Sequence, residues 1–375
     1  MNRETELALI DELLDLKASK SAFLDEAVAR NPVEHYTCDD RFKTEQDKIF
    51  RKQPIAIAHV SELAKPGDFI SRELGGVPLL ITRDKNGSVN AFLNVCRHRG
   101  TKLVDAESGC KHRFSCPYHA WTYANTGELL AAPHFEQGFP GEDKADLSLK
   151  TVASQERFGF IWVIADPESS IDFDDYFAGL LTDLEALDIE NLAIAAENTE
   201  VHKANWKILV EGGIEAYHFR VAHRTTIGSH FEDNLSSYQS FGPHLRSILP
   251  RTSMAKLSDE TRQNWRLRDH ANVLYTLFPT CQLLVQQDHI VWVSSEPLSP
   301  GETRIRLVTL ASKNDIDDEV HWKRNHAITT MTLAEDFEIG ESIQTTASSG
   351  VNANMLFGRF EGALDQLNRT IESYL

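Results

Sequence analysis

The sequence predicts an α+β protein of two domains, preceded by a short helical segment. Three observations carry this. A chain of 375 residues is longer than one hydrophobic core usually supports, so it divides. From Pro54 to Ile164, short β-rich runs alternate with Gly, Pro, Asn and Asp, the texture of a small antiparallel β domain. Beyond it, strand-like runs give way to a helical tail from Asp317 to Tyr374, which places helices over one side of a sheet. The expected boundaries are 1–50 for the helical segment, 51–165 for the β domain and 166–375 for the α+β domain.

Taken in order, the first element is helical because Leu7, Ile10, Leu13 and Leu14 form an apolar stripe. The β domain reads as IAIAHV, VPLLITR, SVNAFLNV, WTYAN and GFIWVIA, each bounded by turn formers. Asp84-Lys85-Asn86-Gly87 is an Asn-Gly hairpin signal between two of them. Asp166 to Glu190 then carries nine carboxylates and no Lys or Arg, which predicts a solvated helical connection. LAIAAENTEVH reads as a strand and NWKILVEGGIEAYHF as a helix. VLYTLFPT, CQLLVQQ, HIVWVSSE and TRIRLVTLA complete an antiparallel sheet before the helical tail.

Composition narrows the function classes. A net charge of −18 disfavours nucleic acid and anionic membrane as partners, both being polyanions. No run of 18 apolar residues is present, and the acidic N-terminus lacks a signal-peptide pattern, so a cytosolic location is expected. Five cysteines, an odd number, do not suit a disulfide framework. Closely spaced Cys and His in a reducing compartment point to metal.

Two sets of residues carry that chemistry. Cys96-x-His98 and Cys116-x2-His119 are short mixed pairs separated by seventeen residues, each where a strand gives way to a loop. A structural zinc finger groups Cys with Cys and His with His; mixed pairs suit a [2Fe–2S] cluster with two Cys on one iron and two His on the other. Cys110 and His112 lie between the pairs without a partner at ligand spacing. Arg97, Arg99, Lys102, Lys111 and Arg113 against Asp105 and Glu107 make this a basic island, a candidate docking face for an acidic electron donor. The second set is Glu215, His218 and His223, spaced by three and then five residues. On a regular helix Glu215 and His218 share a face, and His223 requires the helix to distort or end. Two histidines with a distant carboxylate suit a non-haem Fe(II) facial triad. Glu335, Asp336, Glu338 and Glu341 are the carboxylates on offer, and periodicity does not choose among them.

Together these boxes resemble the Rieske non-haem iron oxygenases, terminal oxygenase α subunits, from about Pro54 to the last helix. CPYHAWTYANTGELL is similar to the oxygenase version of the second Rieske box. The resemblance implies a Rieske-type antiparallel β domain followed by a helix-grip (START/SRPBCC-like) antiparallel sheet with helices. It implies Cys96, His98, Cys116 and His119 as [2Fe–2S] ligands, and His218, His223 and Asp336 as ligands of a mononuclear Fe(II). In the family the cluster of one subunit faces the mononuclear iron of its neighbour in a head-to-tail homotrimer. Glu215 would then be an inter-subunit electron-transfer bridge between a cluster histidine and His218. The resemblance further implies electrons from NAD(P)H through a reductase, with or without a ferredoxin, and O2 and a small organic molecule as substrates.

The chain departs from relatives of that family at several places. The extra cysteines that brace Rieske loops of respiratory complexes are replaced by Thr101 and Tyr118, and a hydroxyl donor to the cluster is replaced by Trp121. Fewer hydrogen bonds lower the expected potential to roughly −150 mV. Glu211-Gly212-Gly213 stands where Glu-Asn-aromatic is common, and Glu215 where ring-hydroxylating dioxygenases have Asp. Glu there is similar to enzymes that oxidise quaternary ammonium compounds such as carnitine. The favoured expectation is hydroxylation of an aromatic or other apolar substrate, with monooxygenation of a quaternary ammonium as the alternative. That alternative needs aromatic faces for the cation, for which Tyr217, Phe219, Phe231, Tyr275, Phe278, Trp292 and Phe357 are available. A Rieske electron carrier without oxygenase activity is the rival of another class.

Overall fold

The computed structural model describes residues 1–375, side chains at 258 and 259 excepted. It divides into two compact units, Gln46–Ile171 and Met1–Glu45 with Asp172–Leu375. The Gln46–Ile171 unit overlaps residues 51–165, the span read as the β domain. The N-terminal segment, expected to stand apart, belongs to the second unit, for physical reasons visible in its contacts. Helix α1 (Arg3–Ala18) is capped by Asn2, whose side chain accepts from the Thr5 amide at 2.8 Å, and it buries Ile10 and Leu13. Ala29–Pro32 pairs antiparallel with Asn354–Phe357, a strand inside the tail that helical patterning does not reveal. Glu45, fully buried, accepts from Lys207 Nζ at 2.7 and 2.9 Å and from Trp206 Nε1 at 2.8 Å. A buried charge is tolerated only when paired and hydrogen-bonded in this way.

The Gln46–Ile171 unit is built from three small antiparallel sheets. Asp68–Leu74, Val77–Arg83, Val89–Leu93 and Ser108–Cys110 form one, and the Asp84 side chain closes its Asn-Gly turn by accepting from Asn86 N at 2.8 Å. Arg113–Ser115, Thr122–Ala124 and Leu129–Ala131 form the second. Ile55–His59, Phe160–Val163 and Ser154–Arg157 form the third. The core packs Phe69, Phe92, Phe114, Trp121 and Tyr123 around Cys96 and Cys116.

The other unit is a seven-stranded antiparallel sheet. Its strands are β1 (Leu192–His202), β2 (Ser237–Phe241), β3 (His244–Pro250), β4 (Ala271–Leu277), β5 (Cys281–Val285), β6 (His289–Ser299) and β7 (Glu302–Ser312). They lie in the order β1-β7-β6-β5-β4-β3-β2. Helix α2 (Trp206–Gly213), short helix α3 (Phe219–Ala222) and the 29-residue helix α4 (Glu319–Ala347) precede the closing helix α5 (Gly362–Tyr374). Leu209 of α2 and Leu333 and Phe337 of α4 pack on Val291, Val293, Ile305 and Leu307, so both helices cover the same sheet face. Gly340 sets how closely they cross, since a Cβ there would lie 2.9 Å from Leu209 Cδ2.

Two expectations change. The segment read as one helix through Phe219 is broken: α2 ends at Gly213, after the Gly212-Gly213 pair, and α3 begins at Phe219. Nor is the acidic connection wholly solvated. Asp183 is buried and accepts from Arg246 Nη1 at 2.7 Å and Tyr275 OH at 2.9 Å. The helices there are short: Phe173–Tyr176, Leu181–Glu185 and the 3-10 turn Ile189–Asn191.

Candidate functional site

The two Cys/His loops of the Gln46–Ile171 unit are copies of one backbone design. In the first, Cys96 N donates to Thr101 O at 2.8 Å and Gly100 N to Cys96 O at 3.0 Å. In the second, Cys116 N donates to Trp121 O at 2.8 Å and Ala120 N to Cys116 O at 3.0 Å. Gly100 and Ala120 take the matching left-handed conformation, φ 77° and 55°. For Ala this is a strained conformation, which the surrounding turn must hold. Each loop therefore buries its cysteine and lifts its histidine toward the surface, with His119 exposed.

The side chains converge. The His98 and His119 ring centroids are 4.8 Å apart. Trp121 stacks flat on His98 at 5.0 Å and 10°, and Phe139 meets that ring edge-on at 5.5 Å. Trp121 was legible only as a lost hydroxyl; here it fixes a histidine ring. Tyr123, which sequence reasoning missed, places its OH 3.5 Å from Cys96 Sγ and accepts from Arg97 N at 3.0 Å. Burial pushes the Cys96 thiol up, and the Tyr123 hydrogen bond opposes it. His98 Nδ1 is buried with no hydrogen-bond partner among the described residues, a lone pair that a metal would take. The four candidate ligand atoms do not form a single-ion cluster: among the described residues, only His218, His223 and Asp336 bring their ligand atoms within 4.8 Å of one another. A tetrahedral zinc site would draw its four ligands to about 3.5 Å from one another, whereas a two-iron cluster spreads them. The residues therefore fit the cluster better than zinc. Cys110 and His112 are exposed and flank Gly67, where a Cβ would meet His112 Cε1 at 2.7 Å. Arg99, Lys102, Lys111 and Arg113 are exposed, Arg99 lying over the Tyr118 ring at 4.9 Å.

In the other unit, the break after α2 builds the second site. Glu215 turns its carboxylate back onto the Tyr217 and His218 amides and onto His218 Nδ1. His218 and His223 then sit at the two ends of α3. Asp336, one turn before Gly340 on α4, completes the group. His218 Nε2 and His223 Nε2 are 3.2 Å apart, and Asp336 Oδ1 is 3.3 and 3.1 Å from them. A metal about 2.1 Å from three mutually cis ligands would space them about 3.0 Å apart, so this triangle fits a facial triad. Glu338 and Glu341 stand aside; Glu341 accepts from Lys203 N at 3.0 Å.

Glu335 has a role that spacing did not assign. Its Oε2 accepts from His223 Nδ1 at 2.8 Å and Thr226 Oγ1 at 2.6 Å, and its Oε1 from Thr225 Oγ1 at 2.8 Å. Each histidine thus has one glutamate on Nδ1, which leaves Nε2 facing Asp336. Carboxylates of this kind fix the tautomer and orientation of metal-binding imidazoles. The available signal was Glu335 preceding Asp336 while Thr225-Thr226 follow His223. Burial disfavours charge on His218, but hydrogen bonds to Asp336 and Glu215 outweigh it and carry its pKa up to about 10. His223 is raised for the same reason, Asp336 and Glu335 overcoming burial. A field that holds protons on these rings also favours a divalent cation among them. Glu361 adds to it; burial and then Glu215 push its carboxyl up.

Of the seven aromatic residues proposed for a cation, Phe219 and Phe231 adjoin this group. Phe219 meets His218 and His223 at 4.9 and 5.4 Å and Phe231 at 5.3 Å. Tyr275 is hydrogen-bonded to Asp183, Phe278 stacks on Tyr374, Trp292 lies under Arg306, and the exposed Tyr217 meets Phe360 at a tilt of 44°. Phe357 is a buried strand residue paired with Ala29.

Comparison with known proteins agrees with both halves. A Rieske [2Fe-2S] domain model matches residues 53–153, and a model of the ring hydroxylating alpha subunit catalytic domain matches residues 189–375. The chain is 35% identical over 194 residues to the carnitine monooxygenase oxygenase subunit of Escherichia coli K12, covering 51% of each. It is 35% identical over 189 residues to the glycine betaine monooxygenase oxygenase subunit of Pseudomonas aeruginosa, covering 50% of this chain and 43% of that one. The matched stretch spans about half the length of these curated relatives. A quaternary ammonium Rieske monooxygenase solved with L-carnitine superposes with TM-score 0.77 at 25% identity, over 92% of this chain and 96% of that one. With both domain models matched in the order that the two sites occupy, the chain belongs to the Rieske-type ring-hydroxylating oxygenase alpha subunits.

Proposed function

We propose that this chain is the terminal oxygenase subunit of a monooxygenase that hydroxylates a carbon next to the nitrogen of a quaternary ammonium substrate. The observation that carries this is the charge around His218 and His223. Glu215, Glu335 and Asp336 all touch the two rings, and Glu361 lies close by. Against a divalent iron, four carboxylates leave an excess of negative charge, which attracts a cation and gives an apolar arene nothing. Phe219 and Phe231 supply apolar and aromatic surface beside it. The carnitine and glycine betaine relatives support the same reading.

In this reading His218, His223 and Asp336 hold the mononuclear iron, while Cys96, His98, Cys116 and His119 hold the cluster. When bound, the iron supplies O2 activation and the cluster supplies electrons one at a time. The chain's own residues do the rest. Glu215 and Glu335 keep each Nδ1 protonated and each Nε2 free for metal. Glu215 is also the route by which an electron from a neighbouring subunit's cluster reaches His218, in a homotrimer. The exposed basic island around Lys102 and Lys111 receives an acidic reductase or ferredoxin. Overall, substrate, O2, two electrons and two protons give a carbinol and water; the carbinol then loses its hydroxyl proton to solvent, expels the neutral amine and leaves an aldehyde.

The test is a panel of trimethylammonium compounds and arenes, with O2 and NADH uptake measured beside product. The proposal expects aldehyde and amine in step with O2 uptake for the ammonium compounds. Coupled hydroxylation of arenes alone would overturn it. Charge reversal at Lys102 and Lys111 is expected to slow reduction by the donor, most clearly at low salt.

A further inference from the structure

Beneath the segment that carries Glu215 and His218, the sheet presents two buried hydroxyls with nothing to bond. Ser247 on β3 and Thr276 on β4 are 1% and 2% exposed, and neither side-chain oxygen has a hydrogen-bond partner among the described residues. The register places them on one face. Ser247 pairs with Leu274 and Leu245 with Thr276, so the two hydroxyls are diagonal neighbours about 7 Å apart. That face is the one toward the metal-binding segment. Leu249, two residues beyond Ser247, packs with Ala216 and Phe219. Gln282, paired with Thr276, donates to Val210 O at 3.1 Å. Other polar groups of the same face are matched, Asn272 by Arg251, Thr309 by His326 and Gln282 by Val210, while His289 Nε2, at the start of β6, is also without a partner among the described residues. The two orphans sit among Leu245, Leu249, Leu274 and Leu284.

A buried hydroxyl without a partner destabilises the fold, and an alanine or valine would avoid that cost. Two of them as diagonal neighbours on one patch, on the face toward the segment that carries Glu215 and His218, point to donors kept for a bound molecule. We infer that Ser247 and Thr276 are recognition residues that hydrogen-bond an oxygen of the substrate, a carboxylate or hydroxyl, while its ammonium end lies toward Glu215 and Asp336. This rests on the proposed substrate class and adds to it: the preferred ammonium compound carries an oxygen substituent on a short chain. An ammonium compound without oxygen, or a plain arene, would leave both hydroxyls unpaired and bind less well.

The experiment uses the iron-loaded enzyme and the variants Ser247→Ala, Thr276→Val and the double substitution. Calorimetric Kd is measured for L-carnitine, γ-butyrobetaine and tetramethylammonium, with Tm of the unliganded protein. The expected result is on the order of a tenfold loss of affinity per substitution for an oxygen-bearing compound. Tetramethylammonium should change less than twofold, and Tm should hold or rise. Loss for L-carnitine alone assigns the patch to its hydroxyl; loss for γ-butyrobetaine as well assigns it to the carboxylate. Equal loss for all three compounds, a fall in Tm, or no loss for any compound that the parent enzyme binds would overturn the inference. If the parent enzyme binds none of the three, the substrate class fails instead. The hydroxyls are then tested by the same variants on phenol against toluene, where equal affinities overturn them too.

Discussion

Replacing Glu335 by alanine separates a residue that holds iron indirectly from one that is merely near it. Glu335 accepts from His223 Nδ1 at 2.8 Å, and His223 is 1% exposed, so the substitution leaves a buried ring N–H without its acceptor. Thr225 and Thr226 lose their acceptor as well. A lost charge-assisted hydrogen bond costs about 1.5–3 kcal/mol, which is roughly 10- to 150-fold in an equilibrium constant. Removing such a carboxylate from a metal-bound histidine typically costs 10–100-fold in metal affinity, which agrees. Glu335→Ala should therefore lose the mononuclear iron on dialysis against buffered Fe(II), with its Kd raised about 10–100-fold. Glu335→Gln keeps an acceptor and should lose less, on the order of fivefold. The visible spectrum of the [2Fe–2S] cluster serves as an internal control and should not change. Iron bound by Glu335→Ala as tightly as by the parent would refute the reasoning that each ring is set by its glutamate.

Three further outcomes follow from other parts of the molecule. Tyr123→Phe removes the hydroxyl 3.5 Å from Cys96 Sγ, a contact that favours the more negative reduced cluster; at about 1 kcal/mol this lowers the midpoint potential by about 40 mV, read in a spectroscopic redox titration. Glu215→Ala should keep the cluster and most of the mononuclear iron, yet uncouple cluster oxidation from product; loss of iron equal to that of His218→Ala would make Glu215 a ligand. Glu211 is raised to about 7 by burial, against hydrogen bonds from Asn368 and Tyr36, so the fold prefers it protonated. Its stabilising contribution is complete below its unfolded value near 4.5 and is lost as pH rises through about 7. Glu211→Gln should flatten the pH dependence of urea unfolding by about 3 kcal/mol across that window; parallel curves for variant and parent would contradict this.

The residues proposed to hold metal were more legible in the sequence than the backbone that carries them. Cys96, His98, Cys116 and His119 stand in two short boxes, and a box is local, so its spacing survives in the chain as written. The equivalence of the two loops is not written there, because it rests on Ala120 taking the conformation that Gly100 takes freely. His218 and His223 were visible, but the helix assumed to carry them was not real. Gly212-Gly213 and the Glu215 carboxylate, which competes for the Tyr217 and His218 amides, end it early. Asp336 could be reached only through resemblance, since its approach to α3 depends on a helix crossing at Gly340. Long-range partners were the least visible. Glu335 with His223, Tyr123 with Cys96 and Ala29 with Phe357 are each set by the folded chain and not by spacing.

A single-turnover experiment tests the central claim most directly. Iron-loaded enzyme, chemically reduced and freed of reductant, is mixed with a trimethylammonium substrate and ¹⁸O2, and cluster oxidation is followed beside product. The account predicts amine and aldehyde formed in proportion to clusters oxidised. Hydroxylation of an arene with no reaction at the ammonium compound, or cluster oxidation with no product from either, would contradict it.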